Sequence, residues 1–264
     1  MTDITLNDGR PMPALGMGTY KVPDSQAPMI VRAGIDAGFR LVDTAALYHN
    51  ERGVGEGLRG SDAFVTTKLW NDRHGDAEAA LDESLALLGM EAVDLYLIHW
   101  PCPSQGQFVA AWKSLVRLRE AGKARSIGVS NFLARHLERV IDATGVVPAV
   151  NQIECHPRFQ QIELRGWTEE NAIVAQSWSP LGQGDVLADP VIAGIARNHG
   201  RSPAQVVIAW HLALGLSVIP KAGSPGHLAE NVAAADLALD DDDLAAIAGM
   251  DAEDGRIGPE PMAM

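Results

Sequence analysis

The chain has 264 residues, enough to bury one large core, and its formal charge of -13 excludes an extended polyanion such as nucleic acid as a partner. Its two cysteines, Cys102 and Cys155, form no disulfide framework and suit a reducing, cytoplasmic setting. The most apolar window, residues 206–219, is broken by His211, Gly215 and Ser217 and is too short to span a bilayer, and residues 1–9 lack the basic and apolar parts of a secretory signal, so neither membrane nor export is expected.

Residues 4–15 alternate around Asn7-Asp8-Gly9-Arg10, a turn signal that predicts a small hairpin ahead of the main fold. A rhythm follows. Gly16–Tyr20 reads as a strand and Ala27–Gly38 as a helix stopped by its glycine; Phe39–Val42 is the second strand, followed by a glycine-broken helix around Glu51–Arg59. Ala63–Lys68, Val93–His99, Arg125–Ser130, Ala149–Glu154, Ile173–Trp178 and Leu216–Pro220 read as strands three to eight. Helical patterns fall at Asp76–Leu88, Gln107–Glu120, Ala134–Ala143 and Gln161–Asn171, and two more, Pro190–His199 and Pro203–Leu214, lie between the last two strands. Ala229–Ala235 and Asp242–Ala248 close the pattern. The run Asp240–Asp243 sits where carboxylates favour a helix N-terminus, a better reading than a metal site.

Eight apolar strands alternating with helices at a repeat of about thirty residues predict a closed parallel (β/α)8 TIM barrel. One domain over residues 1–264 is expected, with 1–15 as the hairpin and 232–264 as a C-terminal helix and tail. A doubly wound sheet is the rival. Its GxGxxG fingerprint occurs by letter at Gly55-Glu56-Gly57-Leu58-Arg59-Gly60, but inside a helical segment that leads into a strand, which is the wrong context.

In such a barrel, functional groups gather at the C-terminal ends of the strands. Those ends supply Asp43, Tyr48 just beyond it, Lys68 and His99, from three consecutive strands about 4.8 Å apart. Singly, each has a plain structural reading: Lys68 as a snorkelling cation, His99 as a core histidine, Tyr48 as an aromatic cover. Together they suit proton donation to a carbonyl oxygen. Tyr48 is the acid, Lys68 supplies a field expected to lower its pKa, Asp43 holds Lys68, and His99 orients the carbonyl or shares the proton transfer. The eight histidines show no metal-ligand spacing, and the missing ingredient, a hydride donor, is one that side chains lack and a nicotinamide has.

The chain resembles the aldo-keto reductases from Leu15 to about Asn231, and within them the bacterial 2,5-diketo-D-gluconate reductase-like branch. The motifs are Gly16-Met17-Gly18-Thr19-Tyr20, Asp43-Thr44-Ala45 with Tyr48, Thr67-Lys68-Leu69-Trp70, Leu97-Ile98-His99-Trp100-Pro101, Ile127-Gly128-Val129-Ser130-Asn131-Phe132, Asn151-Gln152-Ile153-Glu154, Ser179-Pro180-Leu181-Gly182 and Ile219-Pro220-Lys221 with Glu230-Asn231. Trp178 marks the branch. The resemblance implies an NADPH-dependent oxidoreductase that reduces aldehydes, ketones or diketones, with a catalytic tetrad at Asp43, Tyr48, Lys68 and His99. It implies that Ser130, Asn131 and Gln152 hold the nicotinamide carboxamide and Trp178 stacks on its ring. Gly18, Thr19, Ser179, Leu181 and Gly182 are implied as further cofactor contacts, with Lys221 and His227 at the 2′-phosphate and Glu230 and Asn231 near the adenine.

Family members commonly carry Ser and Arg where this chain has Ala222 and His227, and an imidazole lacks the bidentate fork of a guanidinium. NADPH is therefore expected as the preferred cofactor, with some use of NADH. The substrate pocket is expected at Tyr20, His49, Trp70, Trp100 and Trp178, an aromatic mouth left open because little chain follows Asn231. A monomer acting on a small carbonyl compound is expected. The alternatives are a cofactor-binding regulatory subunit on the same fold and a barrel enzyme using Lys68 as a Schiff-base amine.

Overall fold

The computed structural model describes residues 2–221 and 223–264, so Ala222, one of the two phosphate-site departures, lies outside the described residues. The chain opens with a hairpin, β1 (Asp3–Thr5) paired antiparallel with β2 (Pro11–Pro13). It then alternates: β3 (Met17–Gly18), α1 (Ala27–Ala37), β4 (Leu41–Asp43), α2 (Glu51–Leu58), β5 (Phe64–Leu69), α3 (Ala77–Leu88), β6 (Val93–Ile98), α4 (Phe108–Glu120), β7 (Ala124–Ser130), α5 (Ala134–Thr144), β8 (Val150–Glu154), α6 (Ile162–Glu170) and β9 (Val174–Trp178). Two helices, α7 (Pro190–His199) and α8 (Pro203–Ala213), precede β10 (Ser217–Val218), and α9 (Pro225–Val232) and α10 (Asp241–Ala248) follow it.

Strands β3 to β10 pair parallel with their sequence neighbours in one eight-stranded sheet. The sheet curls until its two edges meet. Isolated parallel bridges join Leu15 to Val218 and Gly18 to Lys221, carried by Gly16 N–H to Val218 O at 2.9 Å and Gly18 N–H to Pro220 O at 3.1 Å. The eighth strand is thus shorter than the predicted 216–220, and Pro220, which has no N–H to give, serves the seam as an acceptor.

Alternation along the strands separates two layers. On β6, Leu95 and Leu97 enter the barrel interior, which they fill with Leu41, Val150 and Ile219, while Tyr96 and Ile98 face the helices. Gly128 makes room in that interior: a Cβ there would stand 2.8 Å from a Leu97 methyl and 2.5 Å from Val150 O. The hairpin seals the N-terminal end, since Leu6 and Met12 join the same interior cluster.

Local chemistry accounts for the helix limits. Gly38, Gly89, Gly145 and Gly200 end α1, α3, α5 and α7 in the left-handed region. Ser202 and Gln205 form a capping box on α8, and Asp240 with Asp243 forms one on α10, so the acidic run is helix-capping chemistry. One predicted element is corrected. The helix expected at 229–235 begins earlier, at Pro225 behind the Ser224 cap, and gives way to a 3-10 turn at Ala233–Asp236, because Ser-Pro supplies both cap and first helical residue.

Candidate active site

Asp43 ends β4, Lys68 is the penultimate residue of β5, and His99 follows β6, so parallel pairing sets the three side by side at one end of the barrel. Lys68 is wholly buried. Its Nζ donates to Asp43 Oδ1 at 2.5 Å and to Thr44 O at 2.9 Å, and it lies 5.2 Å from the centroid of the Tyr48 ring. Tyr48 ends a 3-10 turn over Ala46–Tyr48, half-buried, with its ring edge-on to His99 at 5.9 Å. The four side chains therefore meet in space as well as in sequence order.

Burial dominates their electrostatics. It pushes the Asp43 carboxyl up and the Lys68 ammonium down, against the attraction between them that pulls each back. It drives His99 well below the usual imidazole value, with the Lys68 charge adding to the shift, so His99 is neutral near pH 7. Tyr48 moves opposite to the expectation. Burial first, then the Asp43 carboxylate and Tyr20, hold its phenol well above the ordinary tyrosine range. The reason is burial: enclosing the phenol disfavours its charged form, and the Lys68 ammonium, shared with Asp43 and Thr44, does not overturn that.

A polar chain runs on from Asp43. Gln152 on β8 donates from Nε2 to Asp43 Oδ2 at 2.8 Å and to Gln176 Oε1 at 2.7 Å, and Gln176 Nε2 donates to Ser217 Oγ at 2.9 Å. Ser130 Oγ donates to Gln152 O, and Asn131, in the left-handed region at φ 64°, donates from Nδ2 to His99 O at 2.9 Å. Asn131 Oδ1 accepts from Trp178 Nε1 at 2.8 Å. Ser130, Asn131, Gln152 and Trp178 thus form one connected group beside His99.

The other predicted residues are spread more widely. Thr19 is fully buried, and both its N–H and its hydroxyl donate to Asp43 O, which puts its side chain beneath the mouth rather than in it. Gly18 lies in the barrel seam. Ser179 (φ 48°) and Gly182 (φ 54°) shape the loop after β9, with Gly182 N–H bonded to Ser179 O, and Leu181 between them is half-buried. Lys221 and His227 are exposed around the start of α9, whereas Asn231 is buried and the carbonyl of half-buried Glu230 accepts from Gln205.

At the mouth, Tyr20 packs on Tyr48 at 5.1 Å and Trp70 on His99 at 5.0 Å, while His49 is exposed and Trp100 is only 7 % exposed. Chain after Asn231 also reaches one side of the mouth. The tail after α10 crosses the strand tops, where Ile257 and Gly258 N–H donate to the Glu154 carboxylate at 2.6 and 2.9 Å, and Gly258 lies against the Trp178 indole. A groove of about 450 Å³ lined by Asp8, Arg10, Arg119, Gly122, Ala124 and Arg125 lies at the opposite, N-terminal end, away from these groups.

Three contributors lie outside the expected site. Asn50 fixes the approach to the site by donating to Thr19 O and Val22 O and accepting from Thr44 Oγ1. Gln176 is visible in the sequence only as a polar interruption of an apolar strand. Glu154, at the end of β8, is a strand-end carboxylate that the carbonyl chemistry does not call for.

A model of the Aldo/keto reductase family matches residues 14–252. An aldo-keto reductase of Mycolicibacterium smegmatis is 48% identical over 265 residues, covering 98% of this chain and 96% of that protein. The methylglyoxal reductase DkgA of Escherichia coli is 45% identical over 267 residues, covering 98% and 97%. Among solved structures, a Gox0644 mutant in complex with NADPH superposes with a TM-score of 0.97 at 51% identity, covering 98% of this chain and 97% of that one. With the barrel, the buried Asp43–Lys68 pair and Tyr48 beside His99, these matches carry one conclusion: the chain belongs to the aldo/keto reductase family.

Proposed function

We propose that the chain reduces small aldehydes, ketones and diketones to alcohols with NADPH, Tyr48 acting as the general acid. The observation that carries this is the proximity of a protonated phenol, a buried ammonium 5.2 Å from its ring, and a neutral imidazole, all at the strand tops. The matches with a methylglyoxal reductase and with an NADPH-bound structure support the substrate class and the cofactor.

The residues present fit NADPH. Ser130, Asn131 and Gln152 offer the mixed donors and acceptors that a carboxamide needs, and Trp178, pinned through Nε1, offers a flat ring face. Ser179, Leu181 and Gly182 would flank the pyrophosphate. Lys221 and His227 would meet the 2′-phosphate, with Glu230 and Asn231 nearer the adenine. Thr19 and Gly18 would act through backbone placement alone. When bound, NADPH supplies the hydride that side chains cannot.

The chain's own work is to hold the carbonyl and deliver a proton. His99, neutral, orients the carbonyl oxygen with an N–H, and Tyr48 Oη gives its proton to that oxygen. The phenolate left behind is stabilised by the Lys68 ammonium, whose position Asp43 fixes; Asp43 is itself held by Gln152. Tyr20, Trp70, Trp100 and His49 would line the substrate's approach.

Exposed His227 cannot grip a phosphate bidentately, so kcat/KM with NADPH should exceed that with NADH by a modest factor only. His227→Arg should widen the gap by about tenfold. A wild-type preference already several orders of magnitude wide would contradict this. We extend the reading to a monomer in the cytoplasm, a setting in keeping with the free, buried Cys102 and Cys155; sizing chromatography tests the monomer. The reaction is tested by following NADPH consumption with a panel of small aldehydes, α-ketoaldehydes and keto sugars. Turnover with at least one class is expected, and its absence across the panel would overturn the proposal.

A further inference from the structure

We propose that Glu154 is a positioning residue: its carboxylate latches the C-terminal tail against Trp178 and so sets the width of the substrate mouth. This rests on the carbonyl-reductase reading given above.

Glu154 ends β8 in register with Trp178 at the end of β9, and it is 1 % exposed. A carboxylate so enclosed needs donors, and the tail supplies two, Ile257 N–H to Oε1 and Gly258 N–H to Oε2, with His156 Nε2 3.2 Å from Oε1. One side chain therefore grips two successive peptide units. The root of the tail is tied separately: Gln160 N–H donates to Asp251 Oδ1, Ala252 N–H to Arg158 O, and the Arg256 guanidinium lies 4.5 Å from the centre of the Phe159 ring. Its end is tied by Ser104 Oγ to Met264 O at 3.2 Å. Glu154 is the grip between.

What it holds in place is the indole. Gly258 approaches so closely that a Cβ there would stand 2.4 Å from Trp178 Cη2 and 2.8 Å from Glu154 Oε2. The opposite edge of the ring is fixed by Nε1 donating to Asn131 Oδ1. Trp178 is thus clamped between Asn131 and the tail, and Glu154 is the side chain that presses the tail onto it. Loosening the latch frees the tail, moves one wall of the mouth and admits larger carbonyl compounds, while Asp43, Tyr48, Lys68 and His99 stay as they are.

The test is Glu154→Gln. The amide keeps one acceptor and turns the other position into a donor, or leaves it facing an N–H it cannot accept. Trypsin should then cut the folded variant at Arg256–Ile257 about tenfold faster than wild type, seen by mass as loss of residues 257–264. The ratio of kcat/KM for a bulky aromatic aldehyde to that for a two-carbon aldehyde should rise about fivefold. Gly258→Ala, which leaves Glu154 intact but displaces the tail from the indole, should raise the same ratio and also covers the case in which Glu154→Gln fails to fold. Unchanged cleavage at Arg256, or a lowered melting temperature with an unchanged substrate ratio in either variant, would overturn the proposal. The cleavage comparison does not depend on turnover, so a wild-type chain inactive on all carbonyls would sink the reductase reading without being mistaken for a failed latch.

Discussion

A phenol that donates a proton inside a buried site has to stay protonated until the moment of transfer, and its conjugate base has to be stabilised only then. Tyr48 meets the first demand because burial and Asp43 hold its pKa well up, and Lys68, 5.2 Å from the ring, meets the second. His99, pushed well down, does not gain a proton until the medium is distinctly acidic. The rate of reduction at saturating substrate should therefore show no limb centred near about pH 6.5, the ordinary imidazole value; a limb there would contradict the His99 assignment, whereas one at higher pH would belong to Lys68, whose ammonium burial pushes down. The ion pair makes a second prediction. Lys68→Met leaves Asp43 buried with only Gln152 on its carboxylate, and should cost roughly 3–5 kcal/mol in denaturant unfolding, part of which Asp43→Asn in the same chain should restore. The identities of the four residues were legible because strand ends expose chemistry directly. The direction of the Tyr48 shift was not, because it depends on how deeply the fold buries the phenol.

At the scale of elements, the glycines of α2 separate two readings of one motif. A Cβ on Gly55 would stand 2.2 Å from Leu88 O at the end of α3, and one on Gly57 would meet Val31 and Pro28 of α1 within 3.0 Å. These glycines let three helices approach; they do not cradle a phosphate. Gly55→Ala should lower the melting temperature markedly and leave the NADPH dissociation constant of the folded variant unchanged, whereas weakened NADPH binding at unchanged stability would favour the nucleotide fingerprint. Strand and helix order was readable from apolar period and glycine stops, since each βα unit repeats the same pattern. The start of α9 lies ahead of the apolar pattern at 229–235 because Ser224 and Pro225 supply the cap and the first helical residue, and the path of the tail could not be read at all. Its docking depends on main-chain N–H groups of Ile257 and Gly258, which carry no sequence signature.

For the molecule as a whole, enclosed imidazoles tie stability to pH. His211 is fully buried between Val207 O and Cys155 O, and burial lowers its pKa to about 4, from 6.5. The unfolded chain takes up a proton there that the folded chain refuses, so this contribution is complete above about pH 6.5 and is lost as pH falls towards 4, about 3 kcal/mol in all. His136, also lowered to about 4, acts in the same sense, while the raised carboxyls of Asp43 and Glu51 act in the opposite one. The comparison of variants isolates the histidine: the stability of His211→Gln, followed by urea unfolding from pH 7 to 4.5, should fall less steeply than that of wild type. Parallel slopes would contradict it. The measurement closest to the central claim is made on Tyr48→Phe, which keeps the ring and removes the proton. NADPH binding by fluorescence should stay within about twofold of wild type while the turnover number for carbonyl reduction drops at least about a hundredfold; turnover near the wild-type value would show that Tyr48 is not the acid.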